Sequence, residues 1–194
     1  MNSSTLIRDF VNFIKMKDWA YRPHAFTLNG HLQAFIYLMI EMFLVKIRKP
    51  LRYERELIKL SDGGTIALDW HIDQSGGKPS IIKDSSAPGP KKPILACISG
   101  LSGGNDNLYL FSKITAASQA GFKCVVINFR GASGVNLTSG MIYWLNSWRD
   151  IKEPIDYIFD NYCNSENPYL KRNLYAYGVS LGGALLTNYL VHDG

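Results

Sequence analysis

The sequence predicts an α/β fold built on a mainly parallel sheet with flanking helices. Three observations carry this. A turn signal, Ser61-Asp62-Gly63-Gly64, stands between two strand-like segments. Downstream, short continuous apolar runs alternate with helix-period segments. The last of these runs, ending at Val179, passes through glycines directly into a helix.

In chain order, Asn2 to Lys17 is an amphipathic helix. Leu6, Ile7, Phe10, Val11 and Ile14 recur at helical spacing, and Ser3, Ser4 or Thr5 can cap it. It either lies on a membrane surface or packs on its own domain. It lacks the apolar core of a signal peptide, so the protein is expected inside the cell, membrane-associated or cytoplasmic, and not secreted. Leu32–Ile47 is apolar at 13 of 16 positions and interrupted by Gln33, Glu41 and Lys46. It falls short of the ~20 residues of a span. A membrane-dipping helix, a buried or cap helix and a true span all remain open. Lys46, Arg48, Lys49, Arg52, Arg55 and Lys59 lie at its end or just beyond.

Leu51–Leu60 and Thr65–Ile72 are the hairpin strands, and residues 73–92 a polar surface loop. Pro93–Ser99 and Phe122–Phe129 are buried strands, with a helix over Leu108–Ala120 between them that Gly121 ends. A helix from about Trp148 to Tyr162 starts or kinks at Pro154. Leu174–Val179 is the next strand, and Leu181–Val191 the last helix.

With 46% hydrophobic and 19% charged residues among 194, the chain can bury a core, which excludes disordered, collagen-like and coiled-coil classes. Its net charge of +5 resides in residues 1–60, which hold 10 Lys+Arg against 5 Asp+Glu, whereas residues 61–194 hold 11 against 11. A nucleic-acid-binding core would carry that excess itself, so no nucleic-acid partner is expected. The distribution suits a basic segment beside an anionic membrane surface. Cys97, Cys124 and Cys163 are too scattered for a disulfide framework or zinc site and read as buried free thiols. No metal or nucleotide motif is present, and no cofactor is expected.

Gly178-Val179-Ser180-Leu181-Gly182 is a G-x-S-x-G between strand and helix. That context suits a nucleophile elbow, in which a sharp turn presents the serine at the carboxyl end of the strand. The Leu181 amide then faces a developing oxyanion at a helix N-terminus. Gly100-Leu101-Ser102-Gly103-Gly104 matches the same pattern but runs into Asn105-Asp106-Asn107, which is loop chemistry. Ser102 is therefore the lesser candidate nucleophile, and the Leu101 amide a second oxyanion donor.

Together these segments resemble the α/β-hydrolases, in the branch of membrane-anchored abhydrolase-domain lipases and embryogenesis-associated hydrolases. The matching residues are Gly30-His31-Leu32-Gln33, Asp62-Gly63-Gly64, Leu68-Asp69-Trp70, Gly100 to Gly104, Asn128-Phe129-Arg130-Gly131 and Tyr177 to Gly183, with Tyr109 and Asn188-Tyr189 also fitting. The resemblance runs from about residue 22 to the end. The resemblance implies hydrolysis of a carboxylic ester of a lipid, an acylglycerol or phospholipid, with Ser180 as nucleophile and Leu181 and Leu101 as backbone oxyanion donors. One departure is Ser99-Gly100 where many members have His-Gly. A larger one is that the family's order is Ser, then Asp or Glu, then His. Only His192 and Asp193 follow Ser180, and His192 lies about 18 Å away along one helix. His24, His31 and His71 precede it.

Residues 1–50 are therefore expected to form a basic amphipathic and apolar N-terminal region, which either contacts a membrane or packs on the protein itself. Residues 51–194 form an incomplete hydrolase domain whose C-terminal strands, triad acid and triad base are missing. The alternative is a non-catalytic module that pairs with another chain through its unfinished sheet. The exposed edge invites self-association. Arg130 is read either as a substrate contact or as a structural ion pair with Asp150 or Asp106, and Asp69 as structural.

Overall fold

Side chains on a strand point alternately to its two faces, so a strand covered on both faces is apolar throughout. The computed structural model describes residues 29–47, 49–72, 91–101, 103–164, 166 and 171–193. The helix expected over 2–17, most of the 73–92 loop, His24 and Ser102 lie outside them. Among the described residues the strands are β1 (Tyr53–Lys59), β2 (Thr65–His71), β3 (Ile94–Ile98), β4 (Lys123–Asn128) and β5 (Leu174–Gly178). The helices are α1 (Gly30–Ile47), α2 (Leu108–Gln119), α3 (Arg149–Ile158) and α4 (Leu181–Asp193).

The described strands form one five-stranded sheet, in the order β1-β2-β4-β3-β5. β1 and β2 pair antiparallel around the Ser61–Gly64 turn, and β2 meets β4 antiparallel. β3 pairs parallel with β4 on one side and β5 on the other, with Ile98 opposite both Ile127 and Gly178. The sheet is thus mixed: the strand–helix repeats supply its parallel part and the hairpin its antiparallel part. β5 stands at one edge, with Tyr175 49% exposed.

The alternation sorts the core into two layers. Ile66, Leu68, Trp70, Ala96, Ile98, Val125 and Ile127 face α3 and α4, meeting Ile151, Ile158 and Leu185. Cys97, Cys124 and Val126 face α2, meeting Leu110 and Ile114. Each element ends within a residue or two of its predicted limits, except the 148–162 helix. That segment runs as α-helix through Pro154 and then widens into a π-helical turn, Phe159–Cys163, closed by Asn164 N–H to the Phe159 carbonyl at 2.7 Å. Around this turn Tyr157 and Tyr162 both donate to the Glu56 carboxylate, which Trp70 Nε1 also reaches at 3.0 Å.

Two buried charge clusters hold the sheet's upper end. Arg130 donates through Nε and Nη2 to both Asp150 oxygens (2.8 and 2.6 Å) and through Nη1 to Asp62 (2.6 Å) and Ser139 Oγ (2.9 Å). Its side chain is 4% exposed, so the structural ion pair applies, with Asp150 and Asp62 as partners. Arg130 holds the Asp62 carboxyl below its usual range, helped by the Gly64 N–H, while burial pushes Asp150 up against the pull of Arg130. Asp69, fully buried, accepts two bonds from Arg55, one from Asn105 Nδ2 and one from Asn128 Nδ2. Arg55 is therefore occupied within the sheet.

The chain divides into two compact units, 1–46 and 47–194, of which the first is described only through α1. Asn29 Oδ1 caps α1 by accepting the His31 and Leu32 N–H groups at 2.8 and 3.4 Å. Phe35, Leu38, Met39, Ile40, Met42 and Phe43 on it are exposed. No helix among the described residues is long and apolar enough to cross a membrane.

Burial has a chemical consequence for the thiols. It pushes Cys97 up to about 12 and Cys124 up to about 11, leaving little thiolate at pH 8. Iodoacetamide at pH 8 should leave both unmodified in the native protein and label them in guanidinium. Stoichiometric native labelling, read by mass spectrometry, would contradict this packing.

Candidate functional site

The parallel strands end side by side, and two of their turns meet. β5 is followed by Val179 and Ser180 before α4 begins at Leu181. Val179 N–H donates to the Ile98 carbonyl (3.1 Å), extending the β3–β5 ladder by one bond. Gly182 N–H then returns to the Val179 carbonyl (2.9 Å), so the direction reverses within four residues. Ser180 takes φ = 53° to make this turn, one of two non-glycine residues with positive φ among those described. Left-handed backbone brings Cβ close to the carbonyl and costs roughly 1–2 kcal/mol. The side chain is left exposed.

Glycines permit the approach. A Cβ on Gly178 would lie 2.6 Å from the Gly182 carbonyl oxygen. One on Gly182 would run into the carbonyls of Ser99 and Ile98. One on Gly100 would sit 3.3 Å from Ser180 Cβ, so Gly100 lies directly beside the serine.

The N–H groups of Leu181 and Leu101 are the sequence-predicted donors beside these two turns. Leu181 is the first helical residue, and the first N–H groups of a helix have no partner in its own ladder. On the opposite turn, the Gly100 carbonyl accepts Gly103 N–H at 3.0 Å. A trans peptide sets N–H opposite to C=O, so the Leu101 N–H points away from the turn's interior. Leu101 is 70% exposed. Each predicted oxyanion donor thus follows, in sequence, one member of the Gly100–Ser180 contact. Ser102 lies outside the described residues.

The described histidines of unit 47–194 are elsewhere. His71 ends β2 with its ring edge-on to Tyr53, at 6.1 Å between centroids. His192 stacks on Trp148 (5.1 Å, 19°) near the far end of α4. Its neighbour Asp193 is bound by Lys152. His31 belongs to the other compact unit. Among the described residues, none of the histidines placed in unit 47–194 lies beside Ser180, and no cluster of His, Cys, Asp or Glu could hold a metal.

Tyr109 fits the family pattern, but the sequence alone gives it no role. Its hydroxyl accepts the Gly100 N–H (2.9 Å) and Asn107 Nδ2 (2.8 Å), which places it at the same turn. The pairing spans nine residues of irregular chain, for which no spacing rule exists.

No family model matches the chain. It is 34% identical over 170 residues to the human protein named phospholipase ABHD3, covering 88% of this chain and 37% of that one. It is 28% identical to the medium-chain fatty acid ethyl ester synthase/esterase 2 of Saccharomyces cerevisiae, covering 89% of this chain and 44% of that one. The chain thus spans less than half the length of these relatives. The Pyrococcus furiosus esterase Pf2001 superposes with a TM-score of 0.52 at 14% identity, covering 74% of this chain and 48% of that one, which shows a shared fold.

The strain at Ser180 can be measured without any substrate. Glycine adopts φ = 53° freely, so Ser180→Gly should raise stability by about 1 kcal/mol in chemical denaturation. A loss of stability would mean that the serine backbone is not strained.

Proposed function

The chain belongs to the α/β-hydrolase superfamily, in its abhydrolase-domain branch, and from that premise we propose that it hydrolyses carboxylic esters with Ser180 as nucleophile. The observation that carries this is an exposed serine at φ = 53° between β5 and the N-terminus of α4, with Gly100 packed against it. A base takes the Ser180 proton as Oγ attacks the ester carbonyl carbon, and negative charge develops on the carbonyl oxygen. The Leu181 and Leu101 N–H groups receive that charge, with the α4 dipole behind the first. Collapse breaks the bond to the alcohol oxygen, the protonated base returns its proton to that oxygen, and the acyl-serine left behind is cleaved by water.

A neutral serine needs an adjacent base. His192 is held on Trp148, and His71 ends β2. We place the triad's acid and base outside the described residues, supplied by additional chain or by a partner. Lipid esters are the proposed substrates. The relatives named for phospholipids and for medium-chain fatty acid ethyl esters support this class.

The decisive comparison sets ester hydrolysis by the 194-residue chain beside a chain continued with the C-terminal portion of an abhydrolase relative. The first should be inactive and the second active, and Ser180→Ala should remove the second's activity by roughly 10⁶-fold, the scale seen when a serine hydrolase loses its nucleophile. Activity that survives Ser180→Ala but is lost in Ser102→Ala would assign the nucleophile to the other turn. Activity of the 194-residue chain that depends on Ser180 would reveal an overlooked base, with His31 or a second copy the first to test.

We also propose that the N-terminal region, residues 1–50, contacts a membrane surface. The exposed apolar side chains of α1 and the basic residues Arg48, Lys49 and Arg52 support it. The chain should co-sediment with vesicles containing phosphatidylserine, less so in 0.5 M salt, because screening weakens such attraction. Equal sedimentation of a chain starting at Leu51 would show that this region is not the anchor.

A further inference from the structure

The turn that carries Leu101 is irregular backbone, and irregular backbone holds its shape only where its polar groups are paired. Gly100 has both of its backbone groups engaged. Its carbonyl accepts Gly103 N–H at 3.0 Å, and its own N–H donates to the Tyr109 hydroxyl at 2.9 Å. The two bonds fix the peptide planes on either side of Gly100 Cα, and the second plane is the one that carries the Leu101 N–H.

Tyr109 is itself held. It sits in the first turn of α2, which places its ring by the helix backbone. Asn107 Nδ2 donates to its oxygen at 2.8 Å. Asn105, two residues earlier, is tied to the fully buried Asp69 at 2.6 Å, so the segment between the turn and α2 is anchored to the sheet. Glycine completes the fit. A Cβ on Gly103 would lie 2.9 Å from the Tyr109 hydroxyl oxygen, and one on Gly100 would lie 3.5 Å from it and 3.3 Å from Ser180 Cβ. The phenol therefore stands directly behind the glycine that touches the serine.

We propose that Tyr109 is a positioning residue for oxyanion stabilisation: by accepting the Gly100 N–H it locks the turn that presents the Leu101 amide beside Ser180. It acts through Gly100 and makes no contact with substrate. This inference rests on the reading of Ser180 as nucleophile and of Leu101 as an oxyanion donor. A preorganised donor costs no rearrangement when charge forms, whereas a loosened one must be reordered at that moment. Removing the hydroxyl should therefore weaken binding of a tetrahedral anion more than it weakens the fold.

The test uses hexylboronic acid, which can form a tetrahedral boronate on a serine oxygen and whose boron-bound oxygen mimics the oxyanion. Binding is followed by boron NMR on the chain continued with the C-terminal portion of an abhydrolase relative, as parent, Ser180→Ala, Tyr109→Phe and Asn107→Ala. The parent should form the tetrahedral adduct and Ser180→Ala should not. Tyr109→Phe should bind about tenfold or more weakly, and Asn107→Ala should fall between, with thermal midpoints close to the parent's. Amide hydrogen exchange gives a readout independent of the boronate. The Gly100 N–H should be protected in the parent and exchange at least tenfold faster in Tyr109→Phe. Parent-like boronate affinity in Tyr109→Phe, or unchanged Gly100 protection, would overturn the proposal while leaving the assignment of Ser180 standing. An adduct insensitive to Ser180→Ala, or none in the parent, would overturn that assignment and this inference with it.

Discussion

The architecture depends on one close crossing, where the turn from β5 to α4 passes over the carboxyl end of β3. Val179 is still bonded to the Ile98 carbonyl, and two residues later α4 has begun. That space admits no side chain at Gly182, whose Cβ would meet the Ser99 and Ile98 carbonyls, nor at Gly178, whose Cβ would meet Gly182 itself. The reversal then requires positive φ at Ser180, which is not a glycine. Strain at Ser180, exposure of its side chain and proximity to Gly100 are three consequences of the same geometry. Backbone strain of this kind persists only where the surrounding structure over-determines it. Here the β3–β5 ladder on one side and the buried Leu185 of α4 on the other do so.

The rest of the domain keeps that crossing in place. Two buried charge clusters tie the hairpin to the strand–helix repeats at the same end of the sheet. Asp69 joins β1, the end of β4 and the segment before α2, and Arg130 joins the hairpin turn to the start of α3. Burying charge is costly unless every group is paired, and the fourfold engagement of each of these two side chains meets that requirement. The consequence for function is negative as well as positive. A cation at the carboxyl end of β4 looks available to an anionic substrate in sequence, but its guanidinium is already spent on Asp150, Asp62 and Ser139.

Much of this is legible in the sequence, and what is not has physical reasons. β3 and β4 are short continuous apolar runs, a signal that survives because both faces are covered. The strand–turn–helix around Ser180 was readable because its glycines, strand and helix are contiguous. The pairing of β2 with β4 is a contact between distant segments that leaves no periodicity. Of the sequence candidates for pairing with Arg130, Asp150, 20 residues on, is a partner, whereas Asp62, 68 residues back, stands beside it only through the fold. The π-helical turn at Phe159–Cys163 has no composition signal, and its reason, two tyrosines converging on Glu56, is tertiary. The Tyr109–Gly100 bond was invisible for the same reason.

The assignment of Ser180 as the reactive serine can be read out by mapping the site of a phosphonylating reagent. A long-chain fluorophosphonate is reacted with the chain continued by the C-terminal portion of an abhydrolase relative, and the digest is sequenced by tandem mass spectrometry. A single adduct on Ser180, absent from Ser180→Ala, is expected. An adduct on Ser102, or labelling that Ser180→Ala leaves unchanged, would contradict it.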